Sequence, residues 1–233
     1  QVEPAPMTGD PQLAVWLYGS HARGDSDADS DLDLFVASDE PFLLPVIETE
    51  SWLQNERASI SRYSWSEVEG MAGYGSLFLQ HLHLEGRLLY EGSQVQGRLG
   101  TILSKMGDYR LAQRDIRGFQ AVVKDVERSL EIEGCEIFET SVIATVIRHA
   151  SILGCWLLGR PSFSRTEPVA RLVSLAGLST AISDGFQDLY RFRLYIDGRL
   201  DSGALPTMPL SKKWIGLAKE VVTCVEELNH VHS

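Results

Sequence analysis

The stretch that decides the fold reads Gly19-Ser20-His21-Ala22-Arg23-Gly24 and resumes, five residues later, as Ser30-Asp31-Leu32-Asp33-Leu34. Apolar runs at residues 13–18 and 32–37 flank the two halves and predict two buried strands. A Gly-Ser turn lets backbone N–H groups approach an anion closely. Carboxylates two residues apart on a strand point to the same face. The sequence therefore predicts a site for a metal-bound phosphate where the two strands meet.

The composition narrows the class of protein. The chain has 233 residues, 44% of them apolar, and 32 acidic against 21 basic residues give a net charge of −11. This charge disfavours a nucleic-acid partner, which usually meets a basic patch. No apolar run approaches the roughly 20 residues of a membrane span. Residues 1–10 lack the basic and apolar regions of a signal peptide, and three distant cysteines suggest reduced thiols rather than a disulfide framework. We expect a cytoplasmic protein that does not enter a membrane.

The hydrophobic pattern divides the chain in two. Before about residue 95, strand patterns at 13–18, 32–37, 58–65 and 88–90 alternate with helical patterns at 42–54, from 66 and at 77–86. After it, helical periodicity dominates, at 97–134 with a break near Gly107 or Gly118, and then at 138–158, 167–176, 179–195 and 212–231. We predict an α+β protein: an α/β domain with a small mixed sheet at residues 1–95, followed by an all-α helical bundle at 96–233.

The residues themselves suggest how a nucleoside triphosphate is bound. Gly19 and Ser20 would hold phosphate oxygens. Arg23 would either stabilise the helix that begins at this turn or contact a phosphate. Asp31 and Asp33 offer the hard oxygen ligands that Mg²⁺ or Mn²⁺ takes. A P-loop is excluded because the chain has no Gly-x4-Gly-Lys-Ser/Thr. A dinucleotide fold is disfavoured because no Gly-x-Gly-x-x-Gly follows the first strand.

The two halves of the motif resemble the signature of the DNA polymerase β-like nucleotidyltransferase superfamily, Gly-Ser-x-Ala-Arg-Gly followed by Ser-Asp-x-Asp-Leu. The resemblance covers roughly residues 12–92, and the later segment 75–91 is similar to the end of small bacterial members. It implies transfer of a nucleoside monophosphate, most simply AMP from ATP, to a hydroxyl with release of pyrophosphate. It also implies nucleotide-binding roles for Gly19 and Ser20, and metal-binding, catalytic roles for Asp31 and Asp33. Arg23 and Ser30 are further candidates for nucleotide binding. The helical remainder is similar only in general character to the bundles of aminoglycoside nucleotidyltransferases.

The chain departs from the family pattern in one respect. Many members carry a third carboxylate on a neighbouring strand, where it binds metal and takes the proton of the attacking hydroxyl. Residues 58–64 contain no acid, and the nearest candidates are Glu56, Glu67 and Glu69. Glu67 is predicted as the replacement catalytic base because a helix start just after the strand could aim it at the site.

Several alternatives follow from this departure and from the charge. The acceptor could be a small molecule such as an aminoglycoside, a protein hydroxyl or an RNA end, and the acidic charge favours the first two. The second hypothesis is a catalytically degenerate nucleotide-binding module that acts through a protein partner. The third is an acidic two-component module that acts on a toxin. An RNase of the HEPN type is not supported, because none of the bundle's histidines has an arginine before it with four to six residues between the two. An apolar face of the bundle could also support a homodimer.

Overall fold

A computed structural model describes residues 12–27, 30–39, 58–132, 136–205 and 212–232. The helix predicted at 42–54, the candidate Glu56 and Cys135 lie outside the described residues. The chain forms two compact units, Gln1–Arg110 and Leu111–Ser233. A mixed sheet in the first and helices in the second confirm the predicted α+β architecture.

The first unit is built on a four-stranded sheet in the order β3-β2-β1-β4. Strand β1 (Leu13–Tyr18) is antiparallel to both β2 (Leu32–Ser38) and β4 (Arg87–Glu91). Strand β2 is parallel to β3 (Ala58–Tyr63). The pairing between β1 and β4 shifts register between Val15 and Trp16, which marks a bulge or similar irregularity.

Alternation along the strands gives the sheet two apolar faces. One face consists of Leu13, Val15, Leu17, Leu34 and Val36. The other carries Ala14, Tyr18, Phe35 and Ala37, and it packs against the helices α2 (Trp65–Gly73), α3 (Leu77–Glu85) and α4 (Arg98–Ser104). Those helices bury a set of large side chains on this face: Trp65, Val68, Leu79, Leu82, Leu99 and Leu103.

The first unit continues beyond residue 95, the end of the α/β domain predicted from the sequence. Leu99 and Leu103 of α4 are buried in its core, with exposures of 0% and 2%. Further along, Gln80 Nε2 donates to the Gly107 carbonyl at 3.0 Å, and Arg110 N donates to the Tyr74 carbonyl at 3.0 Å. Residues 105–110 are therefore bonded to α3 and to the turn between α2 and α3, and the two compact units divide after Arg110.

The second unit is a bundle around one central helix. Its helices are α5 (Ala112–Glu131), α6 (Glu136–Leu157), α7 (Glu167–Ala176), α8 (Thr180–Ile196) and α9 (Lys212–His232). Helix α6 packs against each of the other four, which explains why most of its side chains are buried. The break between α4 and α5 falls near Gly107, whereas Gly118 lies inside α5.

One helix among the described residues, α6, is long and apolar enough to cross a membrane by length and composition alone. Glu139 and Arg148 interrupt its apolar sequence, and 67% of its most apolar window is buried inside the protein. The central helix of a folded bundle meets the same criteria.

Candidate active site

The Gly-Ser turn follows β1 without a gap and begins the short helix α1 (Gly19–Arg23). Gly19 is buried and has φ of +72°, a left-handed conformation that L side chains rarely adopt. A Cβ at this position would collide with the Asp33 carboxylate and would lie 3.2 Å from its Cγ. Glycine is therefore required twice, for its backbone conformation and for the close approach of the turn to Asp33.

The strand register explains why Asp33 lies there. Antiparallel pairing places Asp33 of β2 directly opposite Tyr18, the last residue of β1 before the turn. Asp31 lies one residue before β2, and both aspartates are half-buried. The structure thus brings Gly19 and Asp33 together, and it places Asp31 at the same end of β2. Ser20, half-buried in the first turn of α1, follows Gly19 directly.

The donor chemistry at this end of β2 fits a divalent cation. Two carboxylates supply hard oxygen ligands, and Mg²⁺ is usually held by one or two carboxylates while water and substrate phosphates complete its shell. The Asp33 carboxylate packs against Gly19, which has no Cβ, and so lies close to the turn that begins α1. Backbone N–H groups of such a turn are suited to phosphate oxygens. Within the described residues, no three His, Cys, Asp or Glu side chains converge as a metal cluster.

Tyr18 is part of the site although the sequence did not single it out. Its hydroxyl lies 3.0 Å from Ser61 Oγ of β3. Burial, reinforced by the negative charge of Asp33, raises the pKa of Tyr18 to about 12 against the lowering effect of the Ser61 hydrogen bond. The phenol is therefore protonated at neutral pH and serves as a hydrogen-bonding group. Its only sequence signal is its position at the end of an apolar run, immediately before the glycine.

Strand β3 offers hydroxyls where many family members carry an acid. Parallel pairing sets Ser59 beside Asp33 and Ser61 beside Phe35. Both serines lie on the side of β3 that matches Asp33, because alternate residues of a strand share a face. No carboxylate occurs between Ala58 and Tyr63, so β3 supplies none to the site.

The structure does not bring Glu67 to the aspartates but places it in the cap of α2, so this placement does not support the predicted role as catalytic base, which stays a prediction. Ser59 lies beside Asp33 near the start of β3. The four residues from Ser59 to Tyr63 extend about 13 Å at roughly 3.3 Å per residue. Glu67 comes after Tyr63, beyond the far end of the strand. Glu67 Oε2 accepts hydrogen bonds from the Ser64 backbone N at 2.7 Å and from Ser64 Oγ at 2.8 Å. Both bonds lower the pKa of Glu67, and the bond from the Ser64 backbone has the larger effect. Glu67 completes the capping box of α2.

Arg23 is engaged by protein carboxylates. Its Nη1 donates to Glu85 Oε2 at 2.6 Å, and its Nε donates to Asp25 Oδ2 at 3.2 Å. The guanidinium therefore links the end of α1 to the end of α3, the first of the two predicted roles of Arg23, and its contact with a phosphate stays a prediction.

Ser30 lies in the loop that leads to β2. Its hydroxyl donates to Asp27 Oδ1 at 2.7 Å and accepts from the Asp27 backbone N at 2.9 Å. Ser30 N also donates to the Asp27 carbonyl at 3.1 Å. This turn sets the direction in which the chain enters Asp31 and β2, so in this structure Ser30 shapes the loop.

Comparison with known families agrees with this geometry. Residues 9–94 match the family model described as "Polymerase beta, Nucleotidyltransferase". This part of the chain belongs to the DNA polymerase β-like nucleotidyltransferase superfamily and is a nucleotidyltransferase domain in the general sense. The match ends before the helical unit begins. No curated protein matches the chain.

Proposed function

We propose that the protein is a Mg²⁺-dependent nucleotidyltransferase that transfers a nucleoside monophosphate, AMP from ATP, to a hydroxyl acceptor and releases pyrophosphate. The observation that carries the proposal is the contact between the Gly19 turn and the Asp33 carboxylate. It brings a turn whose backbone is suited to phosphate oxygens close to a carboxylate suited to a divalent cation, and this closeness supports the proposal. Neither feature alone would indicate this chemistry.

Each residue then has a defined part in binding. Asp31 and Asp33 would hold Mg²⁺, and the backbone N–H groups of Gly19 and Ser20 would bind phosphate oxygens. When bound, the cation would supply charge neutralisation at the triphosphate and polarisation of the reacting oxygens. The acceptor oxygen bonds to the α-phosphorus, the bond from that phosphorus to the α–β bridging oxygen breaks, and pyrophosphate leaves. The hydroxyl proton passes to water.

The charge of the chain supports one group of acceptors over another. A net charge of −11 repels nucleic acid over the range in which charges remain unscreened and attracts cationic molecules. We therefore place a cationic small molecule or a protein hydroxyl ahead of an RNA end as the acceptor.

The test uses ATP labelled at the α-phosphate with Mg²⁺ and three acceptor pools: protein, RNA and aminoglycosides. Wild type is compared with Asp33→Asn, and Asp25→Asn serves as the matched control because Asp25 is an exposed carboxylate of the same loop. Label in one pool with pyrophosphate released, retained in Asp25→Asn and lost in Asp33→Asn, supports the proposal. Equal transfer by Asp33→Asn would rule out the metal-site assignment.

A second candidate is a nucleotide-binding module that acts through a protein partner without transferring the nucleotide. The pairing of Ser59, rather than an acid, with Asp33 favours it, because fewer carboxylates remain to hold a second cation. ATP binding that depends on Asp33, with no pyrophosphate released in any pool, would support this candidate over the transferase.

A further inference from the structure

Glu85, the last residue of α3, joins two groups that belong to different parts of the site. Its Oε2 accepts hydrogen bonds from Arg23 Nη1 at 2.6 Å and from His81 Nε2 at 3.0 Å. Arg23 is the last residue of α1, and His81 lies one turn before Glu85 on α3. A single carboxylate oxygen thus connects α1, which begins at the Gly-Ser turn, to helix α3, which packs on the sheet.

This contact differs from an exposed surface ion pair. The side chains of Arg23 and Glu85 are 21% and 18% exposed, whereas those of Arg98 and Glu69 in the same unit are 40% and 55% exposed. Burial raises the pKa of Glu85, but the hydrogen bonds from His81 and Arg23 outweigh it, and the net pKa is lowered. Charge-assisted hydrogen bonds in such surroundings are stronger than those between exposed groups.

The other end of the turn is held by the same helix. The rings of Tyr18 and His81 meet edge to face, with centroids 5.5 Å apart, and Tyr18 meets Phe78 in the same way at 5.3 Å. Tyr18 immediately precedes Gly19, and Arg23 ends α1. Helix α3 therefore contacts the chain just before the turn and again at the end of α1. Glu85 binds one residue from each contact, His81 in the first and Arg23 in the second.

We propose that Glu85 is the positioning residue of the nucleotide-binding turn: acting through Arg23 and His81, it holds Gly19 and Ser20 in the place where they bind phosphate beside Asp33. The proposal rests on the proposed function in taking this turn as the phosphate site. In this proposal Glu85 acts only through Arg23 and His81, to which it is hydrogen-bonded. In the proposed function the cation is bound by Asp33 of β2 and by Asp31 just before β2. Loss of Glu85 should therefore weaken phosphate binding at Gly19 and Ser20 more than cation binding.

The test compares wild type, Glu85→Gln and Asp25→Asn in the full chain. Glutamine keeps the shape of Glu85 but removes its charge, and Asp25→Asn removes the exposed partner of the same arginine. Three quantities are measured: amide hydrogen exchange over residues 19–24 without ligand, the Kd for ATP with Mg²⁺ by calorimetry, and the Kd for Mn²⁺ alone by electron paramagnetic resonance.

For Glu85→Gln we expect exchange over residues 19–24 and the Kd for ATP to rise about tenfold each, the loss typical of a removed charge-assisted hydrogen bond. We expect the Kd for Mn²⁺ to stay within about twofold, and Asp25→Asn to stay within about twofold of wild type in all three, as exposed ion pairs contribute little. If Glu85 acts through Arg23, Arg23→Gln combined with Glu85→Gln should be no weaker for ATP than the worse single variant.

The outcomes separate this proposal from the proposed function. Unchanged exchange and ATP affinity in Glu85→Gln would overturn the positioning role, as would equal weakening of ATP and Mn²⁺, which indicates general loosening of the unit. Additive losses in the double variant would also overturn it. If the wild-type protein bound no ATP but hydrogen exchange over residues 19–24 still rose in Glu85→Gln, the proposed function would be rejected. Glu85 would then stabilise the turn without a role in nucleotide binding.

Discussion

Replacing Gly19 with alanine tests the geometry on which the site depends. The substitution adds one methyl group at a backbone φ of +72° and directs it at the Asp33 carboxylate. Either the turn moves away from β2, or Asp33 rotates out of its position. In both cases the phosphate-binding backbone and the metal ligand separate.

The magnitude follows from two contributions. An L residue in the left-handed region costs roughly 1–2 kcal/mol. Turning the Asp33 side chain away from its rotamer adds about 0.5–1.5 kcal/mol. We therefore expect the free energy of unfolding to fall by about 1.5–3.5 kcal/mol, the sum of these two contributions. Displacing a metal ligand should weaken Mn²⁺ binding by about 10- to 100-fold, the range seen when the support of a ligand is removed.

Gly24→Ala provides the matched control. Gly24 has φ of +81°, but a Cβ there would meet nothing within 4 Å, so this variant carries the backbone strain without the collision. Chemical denaturation gives the stability of each variant, and electron paramagnetic resonance gives its Mn²⁺ affinity. In a double-mutant cycle, Asp33→Ala should remove part of the stability loss of Gly19→Ala, because the carboxylate with which the methyl collides is gone.

The reasoning would be refuted by equal behaviour of the two glycine variants. If Gly19→Ala and Gly24→Ala lost the same stability and bound Mn²⁺ equally well, the contact between the turn and Asp33 would have no consequence. Strictly additive effects of Gly19→Ala and Asp33→Ala on stability would lead to the same conclusion.

Three further predictions follow from other contacts. Glu67→Gln should lower the thermal midpoint because the α2 capping box with Ser64 is weakened, and it should leave nucleotide transfer unchanged; a loss of transfer at unchanged stability would support Glu67 as a base. Leu103→Ala should destabilise the first unit by about 2–5 kcal/mol and speed hydrogen exchange in Leu13–Tyr18, whereas unaltered exchange there would place α4 outside its core. Because the pKa of Glu85 is lowered in the folded protein, its carboxylate contributes stability above the ordinary pKa of glutamate, and that contribution is lost as pH falls through the lowered value. Denaturant curves of wild type and Glu85→Gln should therefore converge in acid, and a stability gap that stays constant with pH would contradict this account.

The strands of the first unit were largely predictable because their local pattern and their burial agree. The run at 13–18 is apolar throughout and becomes β1, which lies between two other strands. Strand β3 ends at Tyr63 rather than at the predicted residue 65, because Ser64 caps the next helix. The pattern Ser64-x-x-Glu67 is itself the sequence mark of a capping box, so the structural role of Glu67 was readable beside the catalytic role assigned to it.

The candidate site was predictable only where its residues are close in sequence. The Gly-Ser turn and the two aspartates form one motif, and the family match covers them. The contact between Arg23 and Glu85 joins residues 62 positions apart and depends on how α3 packs against the sheet. The position of Tyr18 opposite Asp33 likewise depends on strand register, which a single strand pattern does not fix.

The attachment of residues 105–110 to α3 and to the turn between α2 and α3 matters for recombination between chains. Gly75, with φ of +71°, leaves no room for a side chain beside the carbonyl of Asp108, so this attachment needs a glycine in the first unit and a complementary segment that follows α4. The family match ends at residue 94, ahead of that segment. A hybrid protein that receives a different helical unit should therefore be joined after Arg110, since a junction at 94 would exchange part of the first unit's own packing.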